Sequence, residues 1–97
     1  MSFPLDRLIP LLDKLSGPTG WSIFRGRMAG ETAVHVVNVR AGGQFIASEA
    51  AISLEEAEQH ALVKVRGWIR EQERIASEMT ALLKESVERE KARKGSP

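Results

Sequence analysis

Ser53-Leu54-Glu55-Glu56-Ala57-Glu58-Gln59 is where the chain changes period. Upstream, apolar and polar residues alternate; downstream, apolar residues recur every three or four positions. Ser53 and Glu56 form the S-x-x-E pattern of a capping box, and Ile52 stands where a hydrophobic staple would pack. Glu55, Glu56 and Glu58 place negative charge in the first turns, while Lys91, Arg93 and Lys94 place positive charge in the last. Both clusters complement a helix dipole. Lys84 with Glu88, Glu85 with Arg89, and Glu90 with Lys94 add opposite-charge pairs at i,i+4. One helix is therefore expected from residue 54 to about 92, ended by Gly95-Ser96-Pro97.

What precedes this helix must supply the surface it packs on. Glu31 to Arg40 (ETAVHVVNVR) is the strongest strand signal, rich in β-branched residues. Its alternation puts Ala33, His35, Val37 and Val39 on one face, with Thr32, Val34, Val36 and Asn38 on the other. Trp21 to Met28 (WSIFRGRM) and the shorter Gln44 to Ser48 (QFIAS) flank it. Ala29-Gly30 and Ala41-Gly42-Gly43 are links short enough for hairpins, so the three segments read as an antiparallel meander. Ahead of them, Leu5, Leu8, Leu12 and Leu15 mark one stripe of a helix. Pro10 either kinks that helix or starts it after a short turn, and Ser16-Gly17-Pro18-Thr19-Gly20 stops it. The expected fold class is α+β, in the order α-β-β-β-α.

Composition narrows the function classes. The 97 residues suit a single core, and 42% hydrophobic with 28% charged residues suits an ordinary folded domain. Fourteen basic residues against thirteen acidic ones give a net charge of +1, a weak bias for a protein that grips phosphates. Without cysteine, disulfides, thiolate catalysis and cysteine-bound zinc are excluded. His35 and His60, the two histidines, have no ligand partners at metal spacing. Asp6, Asp13 and Glu49 are isolated carboxylates, and the glycines open no helix, so no phosphate loop is visible. The expectation is a protein without catalytic, metal or cofactor sites. No secretory leader or membrane-length apolar run is visible, so the expected location is the cytoplasm, with no membrane partner.

The element order resembles that of the double-stranded RNA-binding domain over roughly residues 3 to 70. The resemblance rests on the strand Val34-His35-Val36-Val37-Asn38-Val39 with its glycine turn, and on Ala57, Ala61 and Leu62 after a Ser cap. Members of that family grip phosphates with lysines at the start of the second helix, where this chain has Glu55, Glu56 and Glu58. They also carry a histidine between the first two strands, where this chain reads Met28-Ala29-Gly30-Glu31. The resemblance implies a shared fold whose duplex-RNA face has been lost, since carboxylates repel phosphate.

The last helix is too long for its domain. About 39 residues make roughly 58 Å of helix, whereas a compact chain of this size spans only about 32 Å. The sheet is expected to cover residues 54 to about 70. Beyond it, Gln72, Ile75, Met79 and Leu82 continue a 4-3 spacing begun by Ala61, Val65 and Trp68. Ala76 and Leu83 widen the stripe and Val87 extends it. Two solutions cover such a stripe: pairing with a second copy, or a break at Gly67 that folds a separate helix back. No capping residue follows Gly67, so a continuous helix and a homodimer are expected. The chain then divides into a globular domain at 1–72, a protruding helical part at 73–94 and a tail at 95–97.

The dimer interface is expected at Gln72, Ile75, Ala76, Met79, Leu82, Leu83 and Val87. A second surface is expected on the sheet, from Phe24, Arg25, Arg27, Val34 and Arg40, for another protein or alternatively, together with basic residues of the C-terminal helix, for nucleic acid. Stand-alone domains of this kind are frequent among phage and mobile-element accessory proteins, including inhibitors of host defence complexes. By that analogy the expected function is non-catalytic binding that inhibits or adapts a larger complex.

Overall fold

The computed structural model describes residues 3–30 and 34–94, with Arg93 and Lys94 in backbone only. The amino-terminal stripe is divided at its proline. Pro4–Leu8 is a 3-10 turn, and helix α1 (Ile9–Leu15) begins with Pro10 in its first turn, where a missing N–H costs nothing. Strands β1 (Trp21–Met28), β2 (Val34–Ala41) and β3 (Gln44–Ala51) follow, then helix α2 (Leu54–Lys94). The architecture is α+β, with an antiparallel sheet ordered β1-β2-β3. The start of the β2 segment expected at Glu31 lies outside the described residues.

Register follows from the turns and the alternation. Gly42 and Gly43 have φ of 62° and 82°, so both central residues of the β2–β3 hairpin are left-handed, as a type I′ turn requires. Trp21, Ile23 and Arg25 pair with Ala41, Val39 and Val37, and Val39 and Val37 pair in turn with Ala47 and Glu49. These residues form the face that meets α2. A bulge between Val39 and Arg40 takes up Ile46. β3 runs three residues beyond the expected Ser48, through Glu49, Ala50 and Ala51, because pairing with β2 outweighs the low strand preference of these residues.

Ser53 caps α2 as its sequence implies: the Glu56 N–H donates to Ser53 Oγ at 3.1 Å. Ala57, Ala61, Leu62, Val65 and Ile69 of α2 close the core against Val37, Val39, Ala41 and Ala47, with Leu5 and Leu12 sealing one side. Burial on α2 ends at Ile69 and Gln72 is half-buried, but the helix continues through Gly67 without a break. Its 41 residues account for most of the 78 Å length of a molecule only 20 Å by 19 Å across. Among the described residues, no helix is long and apolar enough to cross a membrane.

Candidate interaction surfaces

Two apolar surfaces lie outside the core. The first is the distal half of α2. Steps of three and four carry one helix face from Val65 and Ile69 through Gln72, Ala76, Met79 and Leu83, so this stripe prolongs the face that packs on the sheet. Ile75, Met79, Leu82, Leu83 and Val87 are 41–62% exposed. Covering what remains of each is worth about 1 kcal/mol, or roughly 5 kcal/mol per chain. That is a large share of a small domain's net stability. The flanks are charged and internally paired. Arg74 bonds Glu71 and Glu78, and Arg89 Nη2 donates to Glu85 Oε1 at 2.7 Å, one of the expected i,i+4 pairs; the Lys94 side chain expected to pair with Glu90 lies outside the described residues. Hydrogen bonding to Arg74 holds the Glu71 carboxyl below its ordinary range, against a smaller opposing effect of desolvation.

The second surface is the sheet face turned away from α2. Phe24, Met28 and Phe45 are 59–64% exposed there, with Val34 and Val36 half-buried between them. Phe24 lies across Gly26: a Cβ at Gly26 would come within 2.7 Å of the far edge of the ring. At the other end the Arg40 guanidinium sits 5.1 Å from the centroid of the Phe45 ring. Asn38 and Ser48 supply a polar centre, with Ser48 Oγ 2.8 Å from Asn38 Oδ1. A shallow depression of about 400 Å³ opens beside Arg40, lined by Thr19, Gly20, Trp21, Ser22 and Gly43.

The structure separates the arginines expected to act together. Phe24, Val34 and Arg40 are on the outer face, whereas strand alternation carries Arg25 and Arg27 to the face of α2. Arg25 belongs to an ion pair beneath the helix. Its Nη2 and Nε donate to Glu58 Oε1 and Oε2 at 2.8 and 3.0 Å, and Nη2 also reaches Asp6 Oδ1 at 3.2 Å. Phe3 stacks on the guanidinium at 4.2 Å. Hydrogen bonding and charge from Glu58 foremost, then Asp6, raise the Arg25 pKa above its ordinary value against the opposing effect of burial. Arg27 is exposed and borders a shallow depression with His35 and Leu54.

Glu58 is accordingly no surface residue of an acidic first turn; it is 1% exposed, and its Oε1 also accepts the Leu5 N–H at 3.3 Å. Only Glu55 and Glu56 present carboxylates at the start of α2. A signal was present in the sequence: Arg25 alternates with Trp21 and Ile23, and Glu58 shares a helix face with Ala61, Leu62 and Val65. No group of three His, Asp or Glu residues positioned to hold a metal ion occurs among the described residues. Compared with protein-family models, curated proteins and solved structures, the chain matches none.

Proposed function

We propose that the protein is a non-catalytic, homodimeric protein-binding module. Distal α2 is the assembly device, and the outer sheet face is the surface offered to another protein. The observation that carries this reading is the uninterrupted stripe from Gln72 to Val87, a direct extension of the core face whose apolar residues are exposed among the described residues. Exposed aromatic and methionine side chains on the outer face suit a protein partner, since such residues anchor interfaces. The α-β-β-β-α order supports likeness to the double-stranded RNA-binding domain, and Glu55 and Glu56 support loss of its duplex-RNA role. By analogy with small accessory proteins of phages and mobile elements, the complex it enters is one that it inhibits or adapts.

Light scattering coupled to size exclusion tests the assembly. The full chain should show twice its 10.7 kDa mass. A chain ending at Gln72, checked by circular dichroism for its fold, should show the mass of one copy. A full chain that remains a monomer at tens of micromolar defeats the reading.

One observation favours a second reading, single-stranded nucleic acid on the outer face. Phe24 and Phe45 expose rings on which bases stack, and Arg40 adds a cation beside the second. A mobility shift with an unstructured oligonucleotide at two salt concentrations decides: steep salt dependence supports it, and no shift at micromolar protein removes it.

A further inference from the structure

The distal stripe lies on the same face of α2 that holds the chain's own sheet, and this constrains how a second copy can approach. In a parallel pair, Val65 of one chain would face Val65 of the other, each with its own sheet against it. The helices would stand more than about 20 Å apart there, at roughly 10 Å per packed layer. They would need to be 8–10 Å apart at Ile75 to bury the stripe. Only about 15 Å of helix separates those positions, and closing that gap would need a sharp kink in a helix that runs uninterrupted from Leu54 to Lys94. An antiparallel partner meets no such obstacle, because its sheet lies beyond the other chain's carboxyl end.

Charge points the same way. Residues 71–78 carry three glutamates against one arginine, whereas residues 84–94 carry five basic residues against three acidic ones. Parallel pairing sets like against like along the whole seam, and antiparallel pairing sets the acidic segment against the basic one. Sterics also set the register. The sheet covers α2 up to Ile69, so the partner's helix, ending at position 94, can reach no further than about position 70. The midpoint of that overlap is Leu82, which places Glu73 opposite Lys91 of the second copy, on the same flank.

We infer that the protein is an antiparallel homodimer, with the distal halves of α2 crossing about a two-fold axis near Leu82 and the two sheets at opposite ends. This rests on the reading of distal α2 as the assembly device. The absence of cysteine from the chain makes a single label site clean. A nitroxide on Ala92→Cys, an exposed position off the stripe, measured by double electron–electron resonance in the full chain, separates the arrangements. Antiparallel helices hold the two labels about 30 Å or more apart, and parallel helices hold them at about 20 Å or less. The long distance is expected. A short one in a sample that scatters as a dimer overturns the polarity and leaves the assembly reading standing; no coupling together with a monomer mass overturns both. As a second arm, Glu73→Lys should weaken the dimer several-fold, and adding Lys91→Glu in the same chain should restore it. Weakening without restoration overturns the register.

Discussion

Arg25 and Glu58 meet in a two-point contact, Nη2 to Oε1 at 2.8 Å and Nε to Oε2 at 3.0 Å, that ties β1 to the second turn of α2. Asp6 and the Leu5 N–H join the same cluster, so it locks three segments distant in sequence. The pair fixes where along the sheet α2 begins, because a shift of one residue would carry the carboxylate away from the core. Removing one partner is then costlier than removing both. Glu58→Ala leaves a half-buried guanidinium with only the more exposed Asp6 as acidic partner and should cost about 2–3 kcal/mol, read as a lower urea midpoint at unchanged slope. Joint replacement, Arg25→Met with Glu58→Leu, should return stability to within about 1 kcal/mol of the parent. Equal losses in the single and double variants would sink this account.

Gly67 stands in the interior of α2 with nothing within 4 Å of where a Cβ would sit. Alanine there removes the backbone-entropy cost of glycine at no steric expense. Gly67→Ala should therefore stabilise the chain by about 0.5–1 kcal/mol, seen as a rise in Tm. A fall in Tm would mean that the native helix bends at this position.

Leu82→Glu with Leu83→Glu introduces two charges into the middle of the exposed stripe. Neither residue touches the core, so thermal unfolding of the domain should keep its cooperativity. On the proposed assembly, self-association should weaken at least a hundredfold, measured by analytical ultracentrifugation. An unaffected dimer would place the interface elsewhere.

Glu71 and Arg74 give a pH signature. A carboxyl whose folded-state pKa is depressed adds stability above its unfolded value and loses it as pH falls through the folded one. For Glu71 that loss occurs below the usual carboxylate range, so the bridge is intact at neutral pH and opens only in acid. In Arg74→Ala the Glu71 side-chain carbon should titrate at higher pH by NMR. An unchanged midpoint would show that Arg74 does not hold the carboxylate in solution.

The fold was legible wherever periodicity decided it. The β-branched run Val34 to Val39 marks a strand whose period of two assigns its residues to two faces, and Ser53 with Glu56 marks the helix start whatever packs on it. Gly42-Gly43 specifies its hairpin because only glycine accepts two successive left-handed residues cheaply. Locally, Glu58 is one of three helix-start acids and nothing in its neighbours sets it apart. Its burial depends on Arg25, 33 positions away, and no local pattern encodes that pairing. The last residues of β3 went unread for the same reason, since Glu49, Ala50 and Ala51 are strand only by virtue of the partner they pair with. The apolar stripe past Gln72 was legible as a pattern; that it faces the side of the sheet, and so bears on partner polarity, needed the structure.

Because α2 is unbroken from the core to its tip, it acts as a lever. From its fulcrum at Ile69 to Lys94 it extends about 38 Å. A tilt of about 10° at the sheet moves the tip by roughly 7 Å, more than one helical turn of rise. Small changes in side-chain volume at Ala57, Ala61 or Ala47, where α2 rests on the sheet, are thereby magnified into large displacements far from where they occur. Those three alanines are the trim of the lever: they set its angle, and through that angle how far apart and in what orientation the molecule carries whatever it holds.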